Sequence, residues 1–361
     1  MSCGYPTSLL HLRQRQQPLK FRADGTFRIL HMSDIHLVAP QMDRDDPEHA
    51  QLRYDETLKV IEKCVAQADP DLVVFGGDNI CGYWDTFTYE YMVSCLRAIV
   101  APIAARNIPL TVVFGNHDSE GEEVRPFERR ENQVSVYAEY ANFRGCYNDA
   151  DVHGCCNCCL PILSADGKKT AWAVWCIDSN DYDRNEDHLA LRGCGYDTVH
   201  PDQIAWYEQR SAELQAENGG KPVPSVLFQH IPVNQEWDIV EEAQEGDSDT
   251  FGGGGGKRFR AKPGSLSAGK MREYPCPPAK DRAQFESWVK TGNMVAAFFG
   301  HDHVNSFTYE REGIKLIQTI GTGYFTYGAE RGGRLIVLHD GTKSLDTETI
   351  VIPPENDAVK N

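Results

Sequence analysis

Short runs of apolar and β-branched residues recur along the chain, each cut off by a glycine or a polar turn. The main ones are Phe27–Met32, Leu72–Phe75, Thr111–Phe114, Val223–Phe228 and Val295–Phe299. Runs of four to six such residues read as buried strands. Between the first three the spacing changes to that of a helix. Tyr54, Leu58, Ile61 and Val65 fall on one helical face, and Thr86 to Arg106 reads as a second helix, bent at Pro102. This strand–helix–strand–helix–strand order predicts an α/β sheet. Phe21 to Met32, interrupted by Asp24-Gly25, predicts a hairpin that opens it.

The pattern then changes. Leu160–Leu163 and Thr170–Ile177, around Asp166-Gly167, predict an antiparallel hairpin of a second sheet. Residues 178–200 look irregular, and Pro201-Asp202 starts a helix with Ile204, Tyr207, Ser211 and Leu214 on one face. Another helix near Arg282–Lys290 precedes the strand Val295–Phe299, and three further strands, near Ser306, Ile314 and Leu335, close the chain as a meander with turns at Gly313 and Gly341. The expected organisation is a flexible leader over 1–17, one domain over 18–353 and a tail over 354–361. Within the domain, 241–281 holds Gly252–Gly256, the basic run Lys257–Lys262 and several prolines. It reads either as a solvated insertion or as a lid that brings Arg258, Arg260 or Lys262 over a phosphate.

Composition narrows the function classes. At 361 residues and 41% hydrophobic, the chain suits one large core with insertions. Its 53 Asp and Glu against 36 Lys and Arg give a net charge of −17, which repels a nucleic-acid backbone. A phosphate would have to be drawn by something local, such as bound cations. Residues 1–20 carry Arg13, Arg15 and Lys20 and only a Leu9-Leu10 apolar pair, unlike an export signal. No run approaches the ~18 apolar residues of a membrane helix. The twelve cysteines are therefore expected to be reduced thiols of a cytoplasmic protein. Cys155, Cys156, Cys158 and Cys159 form the densest group; neighbouring strand positions face opposite ways, which favours free thiols over a structural metal site.

The strand ends carry the chemistry. Ser33-Asp34-Ile35-His36, Gly76-Gly77-Asp78, Gly115-Asn116-His117-Asp118, Gln229-His230 and Gly300-His301-Asp302-His303 each follow a predicted strand. A lone histidine is usually a satisfied core residue, and His31, His153 and His339 are read that way. Asp34, His36, Asp78, Asn116, His230, His301 and His303 are too many at one kind of position for that reading. Imidazole nitrogen with carboxylate oxygen suits zinc, manganese or iron. One carboxylate can bridge two ions, and Asp78 after its double glycine is the candidate. Two ions about 3.5–4 Å apart can activate a bridging water and neutralise a phosphoryl group.

The ordered set D-x-H, G-D, G-N-H-D, H and G-H-x-H, from Asp34 to His303, resembles the calcineurin-like metallophosphoesterase superfamily. Ile177-Asp178-Ser179, Gln229-His230-Ile231-Pro232 and Gly321-Thr322-Gly323-Tyr324 are similar to its purple-acid-phosphatase-like branch. The resemblance implies a four-layer αββα sandwich, with two mixed β-sheets flanked by helices and a dinuclear metal site at strand C-terminal ends. It implies that Asp34, His36, Asp78 and His303 hold one metal, and Asp78, Asn116, His230 and His301 the other. His117 would then be no ligand but the group that protonates the leaving oxygen, oriented by Asp118. The sequence departs from the purple enzymes in one respect. Cys81 stands where they carry an iron-binding tyrosine, and His36 is added, so the iron–tyrosinate centre is not expected.

The expected activity is hydrolysis of a phosphomonoester or small phosphodiester by a metal-bridging hydroxide, with His117 as general acid. The expected partner is a small phosphorylated molecule, with no nucleic acid and no membrane. The alternatives are a nuclease of the same superfamily and a catalytically silent metal-binding scaffold. The acidic charge weighs against the nuclease, and the scaffold would call for a missing ligand.

Overall fold

The computed structural model describes residues 17–43, 46–81, 87–183 and 195–360. Its strands are β1 (Leu19–Lys20), β2 (Thr26–Met32), β3 (Leu72–Gly76), β4 (Leu110–Val113), β5 (Cys158–Leu163), β6 (Thr170–Cys176) and β7 (Ser225–Phe228). Further on come β8 (Val240–Glu242), β9 (Phe251–Gly252), β10 (Arg258–Ala261), β11 (Leu266–Ala268) and β12 (Met294–Phe299). The last four are β13 (Thr308–Arg311), β14 (Ile314–Gln318), β15 (Gly332–His339) and β16 (Leu345–Val351). The helices are α1 (Ala50–Ala68), α2 (Tyr89–Ala104), α3 (Arg130–Tyr137), α4 (Pro201–Glu217) and α5 (Gln284–Thr291).

Two mixed sheets dominate. One has the order β16-β15-β2-β3-β4, with β2, β3 and β4 parallel and β15 antiparallel to both its neighbours. The other has the order β1-β5-β6-β7-β12-β14-β13-β11, parallel from β6 through β14. Their central strands are apolar on both faces because both faces are covered. In β3, Leu72 and Val74 point between the sheets, while Val73 and Phe75 point to the helices. In β7 and β12, Val226, Phe228, Ala296 and Phe298 point inward, and Leu227, Ala297 and Phe299 outward.

The outward residues of the first sheet pack on Val60, Ile61, Cys64 and Val65 of α1 and on Leu96, Ile99 and Val100 of α2. Those of the second pack on Tyr207 and Leu214 of α4 and Phe285 and Trp288 of α5. This is the αββα sandwich that the sequence resemblance implies. Helix starts follow local chemistry. The Thr88 hydroxyl accepts from Tyr91 N at the head of α2, and His200 with Gln203 forms a reciprocal cap at α4. No helix among the described residues is long and apolar enough to cross a membrane.

Two local expectations fail for one reason: the chain changes sheets where the pattern suggests neighbouring strands. β1 and β2 are no hairpin, because β1 pairs with β5 in the eight-stranded sheet. The closing segment has four strands rather than three and is no single meander. β13–β14 lie in the eight-stranded sheet and β15–β16 in the five-stranded one. The segment 241–281 carries structure of its own, a sheet of order β8-β10-β9 and the edge strand β11, around Ile239, Phe251, Met271 and Phe307. Its cations meet local partners: Lys257 with Glu242, Arg260 with Glu241 and Asp247, Arg258 with Thr250, and Lys262 with the Asp238 carbonyl. Residues 1–16 of the expected leader lie outside the described residues.

A buried ion pair ties the two sheets together beside their shared edge. Arg130 Nη1 donates to both oxygens of Asp178, just past β6, at 2.7 Å. Its Nη2 donates to the carbonyl of Gly115, just past β4, at 3.0 Å. Asp178 is fully buried, so removing it strands a guanidinium in the interior. Asp178→Ala should cost about 3–5 kcal/mol of stability. Glu139→Ala, which breaks the exposed Arg97–Glu139 pair, should leave the urea midpoint unchanged within error. Equal small shifts for the two variants would show that the buried pair does not hold the sheets together.

Candidate metal centre

Both sheets end their inner strands at the same place. β2 delivers Asp34 and His36, β3 delivers Asp78, and β4 delivers Asn116 and His117. From the facing sheet, β7 delivers His230, and β12 delivers His301 and His303. Asp34 (φ 52°), His36 (φ 45°), Asp78 (φ 50°) and His301 (φ 73°) all adopt the left-handed region. Non-glycine residues rarely do so, and such strain gathers at functional sites. The turn lets a residue leave the strand and aim its side chain back over the sheet edge. Gly115 permits the close approach of neighbouring loops: a Cβ there would lie 2.2 Å from Asp78 Oδ1 and 2.6 Å from Asp78 N.

All seven expected ligands are buried, and the six aspartates and histidines among them come together. Asp34, His36, Asp78 and His303 form one group whose ligand atoms lie within 4.8 Å of one another; Asp78, His230 and His301 form a second. Asp78 belongs to both. Its Oδ1 accepts from the His117 backbone N–H at 2.8 Å. Its Oδ2 lies 3.1 Å from His230 Nε2 and 3.5 Å from His36 Nε2. Asp34 Oδ1 lies 3.4 Å from His303 Nε2. Asn116 adds its amide, with Nδ2 donating to Tyr182 Oη at 3.0 Å and Oδ1 left over.

The satisfied and unsatisfied atoms divide sharply. Outward-facing atoms of the cluster have partners: His230 Nδ1 meets the Gly76 carbonyl at 2.9 Å, and His303 Nδ1 meets Thr326 Oγ1 at 2.6 Å. Inward-facing atoms have none outside the cluster. His36 Nε2, Asn116 Oδ1 and His301 Nε2 are buried with no hydrogen-bond partner, and Asp78 Oδ2 and His230 Nε2 have only each other, 3.1 Å apart. Orphans of this kind are costly and rare, and so many around one point call for a bound group. A set of imidazole nitrogens and carboxylate and amide oxygens fits two transition-metal ions. Protonation states are mixed. Burial disfavours the charge on His230, but Asp78 outweighs this and raises it to about 9. Burial pushes His36 down to about 3, and His301 and His303 well below the ordinary value, leaving the neutral imidazoles that ligate metals. Burial, with the charge of Asp78 adding to it, raises Asp34 to about 7. Burial also works against the charge on Asp78, but His230 and His117 hold it well below the usual carboxylate range.

Asp118 differs from its expected role. Its carboxylate is buried and accepts from four backbone amides, those of Asp78 (2.9 Å), Asn79 (2.8 Å), Ile80 (3.2 Å) and Gly115 (2.8 Å). It fastens the β3 and β4 loops to each other and does not orient the His117 ring. That contact comes from Glu120, whose Oε2 lies 2.9 Å from His117 Nδ1. The His117 ring stands at the rim, 28% exposed, with its centroid 5.1 Å from that of His36. Burial lowers its basicity, but Asp78 and Glu120 outweigh this and raise it to about 9.

Glu120, Tyr182, Tyr196 and Tyr327 are the site residues that sequence reasoning missed. Tyr196 stands edge-on to His301 with centroids 4.4 Å apart, and Tyr327 stacks on His303 at 4.2 Å. Only Glu120 has a local signal, three positions after His117. The tyrosines reach the site from separate loops.

The histidines set aside as core residues divide. His31 is buried, with Nδ1 bonded to Thr319 Oγ1 at 2.9 Å. His153 is exposed and stacks on His200, and His339 is half-buried against Asp346, so neither is a core residue. His153, Asp197 and His200 form a third close group, but His200 already bonds Asp197 and caps α4. Among the described residues, no cysteine joins a metal-ligand group; Cys158 and Cys176 sit opposite each other on β5 and β6.

Known proteins resemble this chain in sequence and in fold. The calcineurin-like phosphoesterase family matches residues 27–305. An Arabidopsis thaliana protein named "Probable inactive purple acid phosphatase 14" is 27% identical over 332 residues, covering 87% of this chain and 74% of that one. The Saccharomyces cerevisiae "Phosphatase DCR2" is 28% identical over 240 residues, 64% of this chain and 39% of that protein. Among solved structures, a dimetal phosphatase from Danio rerio covers 90% of this chain and 98% of its own, with a TM-score of 0.53 at 13% identity. That likeness is one of fold. With the family match running from β2 to the loop after β12 and taking in both ligand groups, the chain belongs to the calcineurin-like metallophosphoesterases.

Proposed function

We propose that this protein is an active metal-dependent phosphoesterase that hydrolyses a phosphomonoester or small phosphodiester. The observation that carries the reading is the ring of buried donor atoms centred on Asp78 Oδ2, with no partner outside the cluster. A scaffold that had lost its metals would be expected to fill or pair those positions. Some plant relatives are named as inactive, but in this chain all seven ligand-type residues are present and buried, and six of them converge. The net charge of −17 speaks against a nuclease. Buried thiols at Cys64, Cys95 and Cys155 support a reducing, cytoplasmic setting.

Asp34, His36, Asp78 and His303 would hold one ion, and Asp78, Asn116, His230 and His301 the other. Bound there, iron, manganese or zinc would supply Lewis acidity to a phosphoryl oxygen and make water acidic enough to attack at neutral pH. The protein does the rest. Its buried cluster excludes bulk water, and Asp118 fixes the Asp78 and Asn116 loops through backbone amides. His117, held through its own N–H by Asp78, presents its ring at the rim. From there Nε2 can give a proton to the leaving oxygen.

Asp78→Asn should abolish turnover and lower total bound metal, read by elemental analysis and phosphate release. Two ions per chain with full activity would sink the shared-ligand assignment. His117→Asn should keep both ions. It should lose about 10²–10⁴-fold on alkyl phosphates, whose alkoxide needs the proton, and far less on nitrophenyl phosphate. His301→Asn should lose metal and both activities together, and like behaviour of the two variants would refute a proton-donor role. Cys81 belongs to neither ligand group. The iron-loaded protein should therefore lack a tyrosinate-to-iron absorption band; a purple band that Tyr182→Phe removes would show a tyrosine ligand after all.

A further inference from the structure

Three side-chain hydrogen bonds run from Asn116 to His117 through residues outside every motif. Asn116 Nδ2 donates to Tyr182 Oη at 3.0 Å, and Tyr182 Oη donates to Glu120 Oε1 at 3.1 Å. Glu120 Oε2 lies 2.9 Å from His117 Nδ1. The direction of the chain follows from what each group can do. An ionised carboxylate only accepts, so it takes the single phenol proton at one oxygen and requires a proton on His117 Nδ1 at the other. With its proton committed, Tyr182 Oη meets Asn116 as an acceptor, and only the amide NH2 can satisfy it.

We propose that Glu120 and Tyr182 are positioning residues that set the orientation of the Asn116 amide and the tautomer of His117 together. The phenol takes up the amide NH2, which leaves Asn116 Oδ1, buried and without a partner, as the atom free for a metal. The carboxylate holds an N–H on His117 Nδ1 in either protonation state of the ring, so Nε2 is the nitrogen that exchanges a proton with the leaving oxygen. One network thus prepares a metal ligand and the acid for the same reaction. A merely structural role has little to recommend it here. Glu120 is on the rim with its side chain 27% exposed, where such bonds add little stability. The inference rests on the phosphoesterase reading for the role of His117, but its metal arm does not need turnover.

The test uses Tyr182→Phe and Glu120→Gln in the full chain, with thermal unfolding to confirm the fold. Tyr182→Phe should weaken one of the two Mn²⁺ binding steps in calorimetric titration about 10–100-fold, the usual cost of losing a partner that orients a ligand. Glu120→Gln should leave both Mn²⁺ steps intact. Its amide NH2 can now donate to His117 Nδ1 while its oxygen still accepts from Tyr182, so the neutral ring should shift to the Nε2–H tautomer, read by ¹⁵N-histidine NMR of the zinc-loaded protein above the pH at which the ring loses its charge. Its kcat on an alkyl phosphate should fall about tenfold or more with KM unchanged, and much less on nitrophenyl phosphate. Unaltered Mn²⁺ steps in Tyr182→Phe, or a retained Nδ1–H tautomer in Glu120→Gln, would overturn the relay. Wild-type protein that binds two Mn²⁺ but hydrolyses no ester would instead overturn the phosphoesterase reading, leaving the titration and NMR to judge the relay. If Tyr182→Phe does not fold, the tautomer in Glu120→Gln decides alone.

Discussion

Two carboxylates, Asp34 and Asp78, lie fully buried at the junction of the two sheets, and the rest of the site answers to that fact. Taking ionised groups out of water is expensive unless something of opposite charge meets them. The protein meets Asp78 with imidazoles rather than with lysine or arginine, and it leaves the facing atoms of those imidazoles without other partners. Such a cluster is poor as a stabilising device and apt as a cation receptor. The neutral state that burial imposes on His36, His301 and His303 is the state a metal needs.

The supporting structure lowers the cost of assembling these groups. Left-handed turns at Asp34, His36, Asp78 and His301 spend backbone strain, about 1–3 kcal/mol each, to aim side chains that a straight strand would point elsewhere. Asp118 recovers some of it by taking four backbone amides from two loops. Arg130 does likewise between the sheets, with one guanidinium spanning Asp178 and Gly115. Both groups are charged and sit close to the metal ligands, yet each is spent on backbone or on the other sheet. Charge alone would therefore be a poor guide to which residues act on substrate.

Legibility in the sequence followed the length scale of the interaction. The strands were readable because Leu72–Phe75 and Val295–Phe299 are apolar on both faces, and the ligands because each follows its strand within a few residues. The sheet partner of a strand was not readable. β1 and β2 are separated by a turn that would serve a hairpin equally well, and only the pairing of Leu19 with Ile162 places β1 in the other sheet. Asp118 was misjudged for a related reason. Its place beside His117 suggests a contact, whereas the turn after Gly115 directs it to the backbone of a different strand end. Tyr182 and Tyr196 had no local signal at all.

The division between legible and illegible residues is also a division of labour. Ligands at strand ends inherit the rigidity of two packed sheets, so their relative positions are set by the core. The groups around that cluster, His117 with Glu120, Tyr182, Tyr196 and Tyr327, stand on loops. Loops tolerate change that strand ends do not. A chain of this family can therefore keep its ligand cluster while its rim changes, and under the phosphoesterase reading the choice of substrate would be sought in the tyrosines and Glu120 rather than in the motif.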